Sequence, residues 1–358
     1  MSDLAADALL DQPPLQPEEV VELEALVART LRTSGSVVLC QAEAVTLLEA
    51  VASSVAGPGN RVLNDVTGPY GALFGGWLRR TGAEVFDLVV DHQGLSEGSL
   101  RTALAGMDTV ALTQAEAATG ADLELAGLLG VAGERGVVTV VDAVAAIGAE
   151  PIAVDDWGID VAVIGGQKAL AGPAGVSAAS ISERAWRRIE NNPAAQRSSA
   201  LSVLDWAEGW LRTDRSRIPG TPSVLETRAL LAALRRVHAE GIDAVELRHR
   251  RARAATLAAV GALGLRPWAA EGRRAAICTT VALPGTGPGL GGVLQPGALL
   301  APGDGPLAGE LFRVNHYGRA ADLDVLLAGF DRLAGALGVR REREAARRSA
   351  RDAWEETA

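Results

Sequence analysis

The chain has 358 residues, 48% hydrophobic and 22% charged, with a net charge of −10. That length and apolar content exclude a disordered chain and suit a large core shared by two domains. The acidic balance argues against nucleic acid or an anionic membrane as the main partner, because both call for a basic surface.

No basic start with an apolar run behind it opens the chain, and no apolar stretch is long enough to span a bilayer, so the cytoplasm is the expected compartment. Cys40 and Cys278 make neither a disulfide framework nor a metal spacing, and His92, His238, His249 and His316 are scattered. No metal site is expected.

In chain order, an acidic leader broken by Pro13, Pro14 and Pro17 precedes a periodic helix over Glu18 to Leu31. Short apolar runs then alternate with helical stretches. Strands are expected at 36–39, 61–63, 84–90, 109–113, 137–141, 160–164 and 176–181, with helices at 42–55, 69–80, 96–105 and 123–134. This alternation predicts an α/β fold with a mostly parallel seven-stranded sheet covered on both faces. Ligands of such sheets sit beyond the carboxyl ends of the strands, so polar residues that directly follow a strand are site candidates. From Pro222 the pattern changes to two long helices, broken at Gly241, then short strands near 275–282, 298–300 and 311–314, and a helix over 322–337. The expected division is an amino-terminal segment at 1–36 packing with the small domain or a lid, a large domain at 37–238 and a smaller α+β domain at 239–358. The charged end from Arg340 reads as a solvated helical tail. No internal repeat is present.

Lys168 is the single lysine, so 33 of the 34 basic residues are arginine. Arginine serves wherever charge alone is needed. It cannot serve where an amine must lose its proton and attack a carbonyl, and lysine can. Lys168 is therefore a candidate for Schiff-base chemistry. Asp142 directly follows the strand at 137–141, 26 residues before Lys168. A carboxylate there needs a partner. Taken alone it is equally a helix N-cap; with Lys168 after the next strand that reading is less attractive, and a pyridinium nitrogen is one suitable partner, as in pyridoxal phosphate (PLP) enzymes.

The run from Val140-Val-Asp-Ala-Val through Trp157-Gly-Ile-Asp-Val-Ala-Val-Ile-Gly-Gly-Gln-Lys-Ala-Leu-Ala-Gly-Pro-Ala-Gly175 resembles class V aminotransferases of fold type I. More narrowly, it resembles the alanine–glyoxylate/serine–pyruvate aminotransferase group, and Ala298 to Gly318 resembles the small-domain signature of that group. The resemblance covers roughly residues 37–337. It implies PLP as cofactor, an α-amino acid and an oxo acid as substrates, and a homodimer with shared active sites. It implies that Lys168 carries the Schiff base and that Asp142 pairs with the ring nitrogen. Val144 and Tyr70 would cover the two ring faces, and Gln167 with the amides of Ala44 and Val45 would hold the phosphate. Thr119 would help hold the cofactor, Thr221 would reach the partner subunit's phosphate, and Arg313 would bind the substrate carboxylate.

The pattern is broken in places. The phosphate turn reads Leu39-Cys-Gln-Ala-Glu-Ala-Val45, and Glu43 sets an acid beside a dianion. Ala118 stands where a hydroxyl is usual, Ile218 where a tyrosine is usual, and the amino-terminal segment is short. Glu116 and Thr119 keep the pattern. These departures leave open a lyase or decarboxylase outcome from the same chemistry, or a non-catalytic member with a weakened phosphate site.

Overall fold

The computed structural model describes residues 12–90, 94–283 and 290–358; His92 and residues 1–11 of the expected amino-terminal segment lie outside them. The large domain holds strands β1 (Ser36–Cys40), β2 (Arg61–Val66), β3 (Glu84–Val89), β4 (Thr109–Thr113), β7 (Val138–Asp142), β8 (Val161–Gly165) and β9 (Ser177–Ile181), with a small ribbon of β5 (Ala115–Glu116) and β6 (Ala121–Asp122). The seven long strands form one sheet in the order β1-β9-β8-β7-β4-β2-β3. Strands β8, β7, β4, β2 and β3 run parallel, and β9 runs antiparallel to both β8 and β1. This is the expected α/β fold of a mostly parallel seven-stranded sheet.

Successive strand residues point to opposite faces, and both faces are buried. Leu39, Leu112, Val141 and Ile164 pack on α1 (Pro17–Leu31), α5 (Leu125–Arg135) and α9 (Val224–Glu240). Val38, Ala111, Val140 and Val163 pack on α2 (Ala44–Val55), α3 (Pro69–Arg80) and α7 (Glu183–Glu190). A strand buried on both sides carries no polar–apolar alternation, which is why Val138–Val141 reads as apolar except for Thr139, whose buried hydroxyl accepts from the Asp160 N–H.

An amino-terminal segment packed with the small domain is the expectation from sequence; α1 instead joins the large-domain layer. Its apolar stripe of Leu23, Val27 and Leu31 is buried there with Leu230 and Leu234 of α9. Glu19 accepts two hydrogen bonds from Arg228 at 2.8 and 3.0 Å. Beyond it, Arg32 reaches α10 (Ile242–Ala262) through Asp243 at 2.7 Å.

Helix α10 carries the chain out of the first core, where Val245 lies, into a separate one that begins at Ala252. There β10 (Cys278–Ala282), β11 (Leu300–Pro302) and β12 (Leu311–Asn315) form an antiparallel sheet with β12 in the centre. Helices α11 (Leu323–Leu337) and α12 (Arg343–Glu356) close this core.

The end of the chain departs from the expected solvated tail. Ala346 and Ala350, one turn apart on α12, are 1% and 0% exposed and share a core with Ala252, Ala255 and Ala259 of α10. Small residues on both helices allow close approach, and Arg343 and Arg347 anchor α12 to Asp331 of α11 at 2.7 and 2.8 Å. A large charged side chain at position 350 cannot fit this contact. Ala350→Arg is expected to lower the unfolding free energy by about 2–4 kcal/mol, from overpacking and burial of a charge, read as an earlier urea midpoint.

Candidate functional site

Two neighbouring parallel strands build the site. Strand β7 ends at Asp142, and β8, paired with it through Asp142 and Val163, ends at Gly165. The chain then turns back on itself, with Gly172 N–H donating to the Gly166 carbonyl at 2.7 Å and Ala171 N–H to the Lys168 carbonyl at 3.1 Å. Arg236 of α9 holds the same loop by donating to the carbonyls of Leu170 and Ala171 at 3.1 and 3.0 Å. A Cβ at Gly166 would lie 2.9 Å from the Pro173 carbonyl oxygen, so glycine permits the crossing. Lys168 projects from this closed loop, and its Nζ stands 5.3 Å from the centre of the Tyr70 ring.

Tyr70 is placed by a buried acid. Glu116, 1% exposed, accepts from the Tyr70 N–H at 3.0 Å and from the Ala118 N–H at 3.1 Å. A Cβ at Gly68 would come within 2.5 Å of the Glu116 side chain, so the turn before α3 needs glycine for this approach. Burial pushes Glu116 up to about 7, against the opposing pull of the Ala118 N–H, Lys168 and the Tyr70 N–H. Burial likewise raises Asp142, while the Lys168 charge and the Val144 N–H at 2.9 Å favour its ionised form.

Lys168, Asp142, Val144, Gln167, Tyr70, Ala44, Val45 and Arg313 line one cavity of about 300 Å3. Two residues named from sequence are not in that lining. Thr119 lines an adjacent cavity of about 330 Å3, and its buried hydroxyl has no hydrogen-bond partner among the described residues. Thr221 is exposed on the loop before α9.

Three acids and a tyrosine complete the site beyond those sequence candidates. Arg313 comes from the centre of the small-domain sheet and meets Asp304 through both terminal nitrogens, at 2.7 and 2.9 Å. Its Nη1 also lies 3.5 Å from the Ala117 carbonyl, which ties the two domains at the cavity wall. Glu43, the residue before α2, accepts from the Gln167 amide at 2.9 Å and from the Val45 N–H at 3.4 Å. Glu116 backs the ring wall, and Tyr317 lines the cavity beside Arg313. Tyr317 and Asp304 fall within the small-domain stretch seen in the sequence, but no spacing rule marks either as facing the cavity.

The cavity suits the ring of PLP: a half-buried carboxylate for the nitrogen, a lysine for the aldehyde, and an aromatic side chain in the same lining as Val144. At the phosphate end the expected donors, the Gln167 amide and the Val45 N–H, are engaged by Glu43.

Comparison with known proteins identifies the family of the chain. A family model described as aminotransferase class-V matches residues 24–287. Pyridoxamine–pyruvate transaminase of Mesorhizobium japonicum is 31% identical over 87% of this chain and 81% of its own length. Serine–glyoxylate aminotransferase of Methylorubrum extorquens is 26% identical over 85% and 78%. The crystal structure of ureidoglycine–glyoxylate aminotransferase from Bacillus subtilis superposes with a TM-score of 0.86 over 98% of this chain and 94% of that one, at 25% identity. With this fold, a family match over most of its length and a lysine and aspartate at the strand ends, the chain belongs to the class V aminotransferases, pyridoxal phosphate-dependent transferases that move an amino group between amino and oxo acids.

Proposed function

We propose that the cavity at the ends of β7 and β8 is the amino-transfer site, and that its acceptor is a small 2-oxo acid. The observation that carries this reading is the meeting of Lys168, Asp142 and Arg313 around one space of about 300 Å3. The relatives named for pyruvate and glyoxylate support an acceptor of that size.

When bound, PLP supplies an electron-accepting ring that makes the proton on the substrate's α-carbon removable. The chain's own groups do the rest. Lys168 Nζ takes the α-proton and returns it, and its loop, closed at Gly166 and Gly172, keeps the amine over the cavity. Asp142, desolvated at the end of β7, offers its carboxylate to the ring nitrogen. Val144 and Tyr70 hold the ring from two sides, with Glu116 fixing the Tyr70 backbone. Arg313 orients the substrate carboxylate with its planar fork. To do so it exchanges Asp304 for the incoming carboxylate, so substrate binding and release of Asp304 are one event.

We further read Thr221 as reaching the partner subunit's site in a homodimer, and Thr119 as supporting the cavity wall. Gln167, Ala44 and Val45 frame the phosphate side. The division at 37–238 and 239–358 places this site between the two domains. No helix among the described residues is long and apolar enough to cross a membrane; we place the enzyme in the cytoplasm.

Replacing the single lysine tests the reading directly. Lys168→Ala is expected to slow single-turnover amino transfer by about 10²–10⁴-fold or more while leaving the fold intact by circular dichroism, the range expected for loss of a positioned proton carrier. Undiminished transfer would sink the assignment. Asp304→Asn removes the charge that competes for Arg313; KM for the oxo acid is expected to fall roughly tenfold with kcat little changed, the scale of one charged hydrogen bond. The raised Glu116 has a stability signature. Its folded value near 7 lies above the ordinary 4.5, so the folded state holds a proton that the unfolded state has released. Stability therefore falls as pH rises from about 4.5 to 7. Glu116→Gln is expected to flatten that slope by its one proton, as read from urea midpoints across this window.

A further inference from the structure

The end of the cavity at α2 is built against a dianion. Glu43 stands in the phosphate turn, immediately before α2, a 12-residue helix with no basic residue in its first turn. Its carboxylate takes the two donors that face this end: Gln167 Nε2 at 2.9 Å and the Val45 N–H at 3.4 Å. With its Nε2 committed to Glu43, the Gln167 amide is fixed in orientation. Its Oε1 is left as a buried acceptor with no partner among the described residues. Both side chains at this end thus present acceptor atoms. The two cations lining the cavity are not free to compensate: Arg313 is paired with Asp304, and Lys168 lies at the other side over Tyr70 and close enough to influence Asp142. A phosphate dianion carries acceptors alone and would meet like charge at Glu43. A 5′-hydroxymethyl group carries a donor, and O–H to carboxylate is among the stronger neutral-to-charged hydrogen bonds.

We propose that Glu43 makes this site select the unphosphorylated pyridoxal and pyridoxamine ring over its phosphate ester. The inference rests on the reading above that the cavity holds the ring against Lys168 and Asp142. Ring recognition stays with Asp142, Val144 and Tyr70, which never touch the 5′ substituent. Selection falls on Glu43 and on the amide it orients. For the phosphate ester to bind, Glu43 must leave both of its donors and turn away from α2.

The test needs no turnover. The purified chain is titrated separately with pyridoxal and with PLP, following the visible absorption of the lysine-bound aldehyde, with Lys168→Ala as the blank. Wild type is expected to bind pyridoxal at least about tenfold more tightly than PLP, the scale of one opposed charge pair near a protein surface. Glu43→Gln, which keeps the shape, and Glu43→Ser, which keeps an N-cap for α2, are expected to move the preference toward PLP by at least about tenfold. Tighter PLP binding in wild type, or a preference unchanged in both variants, would overturn the inference while leaving the cavity reading intact. If neither ligand gives a signal that Lys168→Ala removes, the cavity reading itself fails, and the inference goes with it.

Discussion

A carboxylate drawn partly out of water at the end of a parallel strand is the constraint around which this molecule is arranged. Asp142 is half-buried at the cavity wall, and within the protein its charge is offset by one backbone N–H and by the nearby Lys168. Such a group is costly without a further cation. The sheet places it where two parallel strands end side by side, and parallel pairing puts the loop after β8 directly beside the end of β7. The lysine loop is then locked from outside by Arg236 and from within by the crossing at Gly166. Lys168 and Asp142 thus face the same space because of strand direction.

The second organising feature is the number of acids in that space. Glu43, Asp142 and Asp304 line the cavity, and Glu116 stands behind Tyr70. Lys168 and Arg313 are the cations that answer them. Each acid has a different structural reason to be there. Glu116 holds the aromatic wall, Glu43 occupies the start of α2, and Asp304 satisfies an arginine that is itself only 8% exposed. A buried guanidinium is costly without a counter-charge. Asp304 therefore supplies the counter-charge that Arg313 needs.

The domains meet at this same cavity. Arg313 enters from the centre of the small sheet and touches the Ala117 carbonyl of the large domain. Cys278 of β10 also donates to the Ala117 carbonyl, at 3.4 Å. The large domain supplies Lys168, Asp142 and Tyr70 to the cavity, and the small domain supplies Arg313 and Asp304. Helix α10 joins the two cores.

Much of this was legible in the chain. The single lysine, the acid at the end of an apolar run and the alternating strands are local signals, because strand burial on both faces and the chemistry of an amine are written in consecutive residues. The helix at 69–80 was visible with its observed bounds. What the sequence could not show depends on residues distant along the chain meeting in space. Asp304 pairs with Arg313 only because the loop before β12 folds back on that strand. The Glu43 carboxylate meets Gln167 across 124 residues because β1 and β8 end at the same edge of the sheet. The alanines of α12 looked like part of a solvated tail because small side chains give little apolar signal; their burial comes from the matching alanines of α10. Sequence alone determined the chemistry and the fold class, since these rest on residue type and local periodicity. The tertiary structure decided which charges face one another, since that depends on side-chain geometry across the fold.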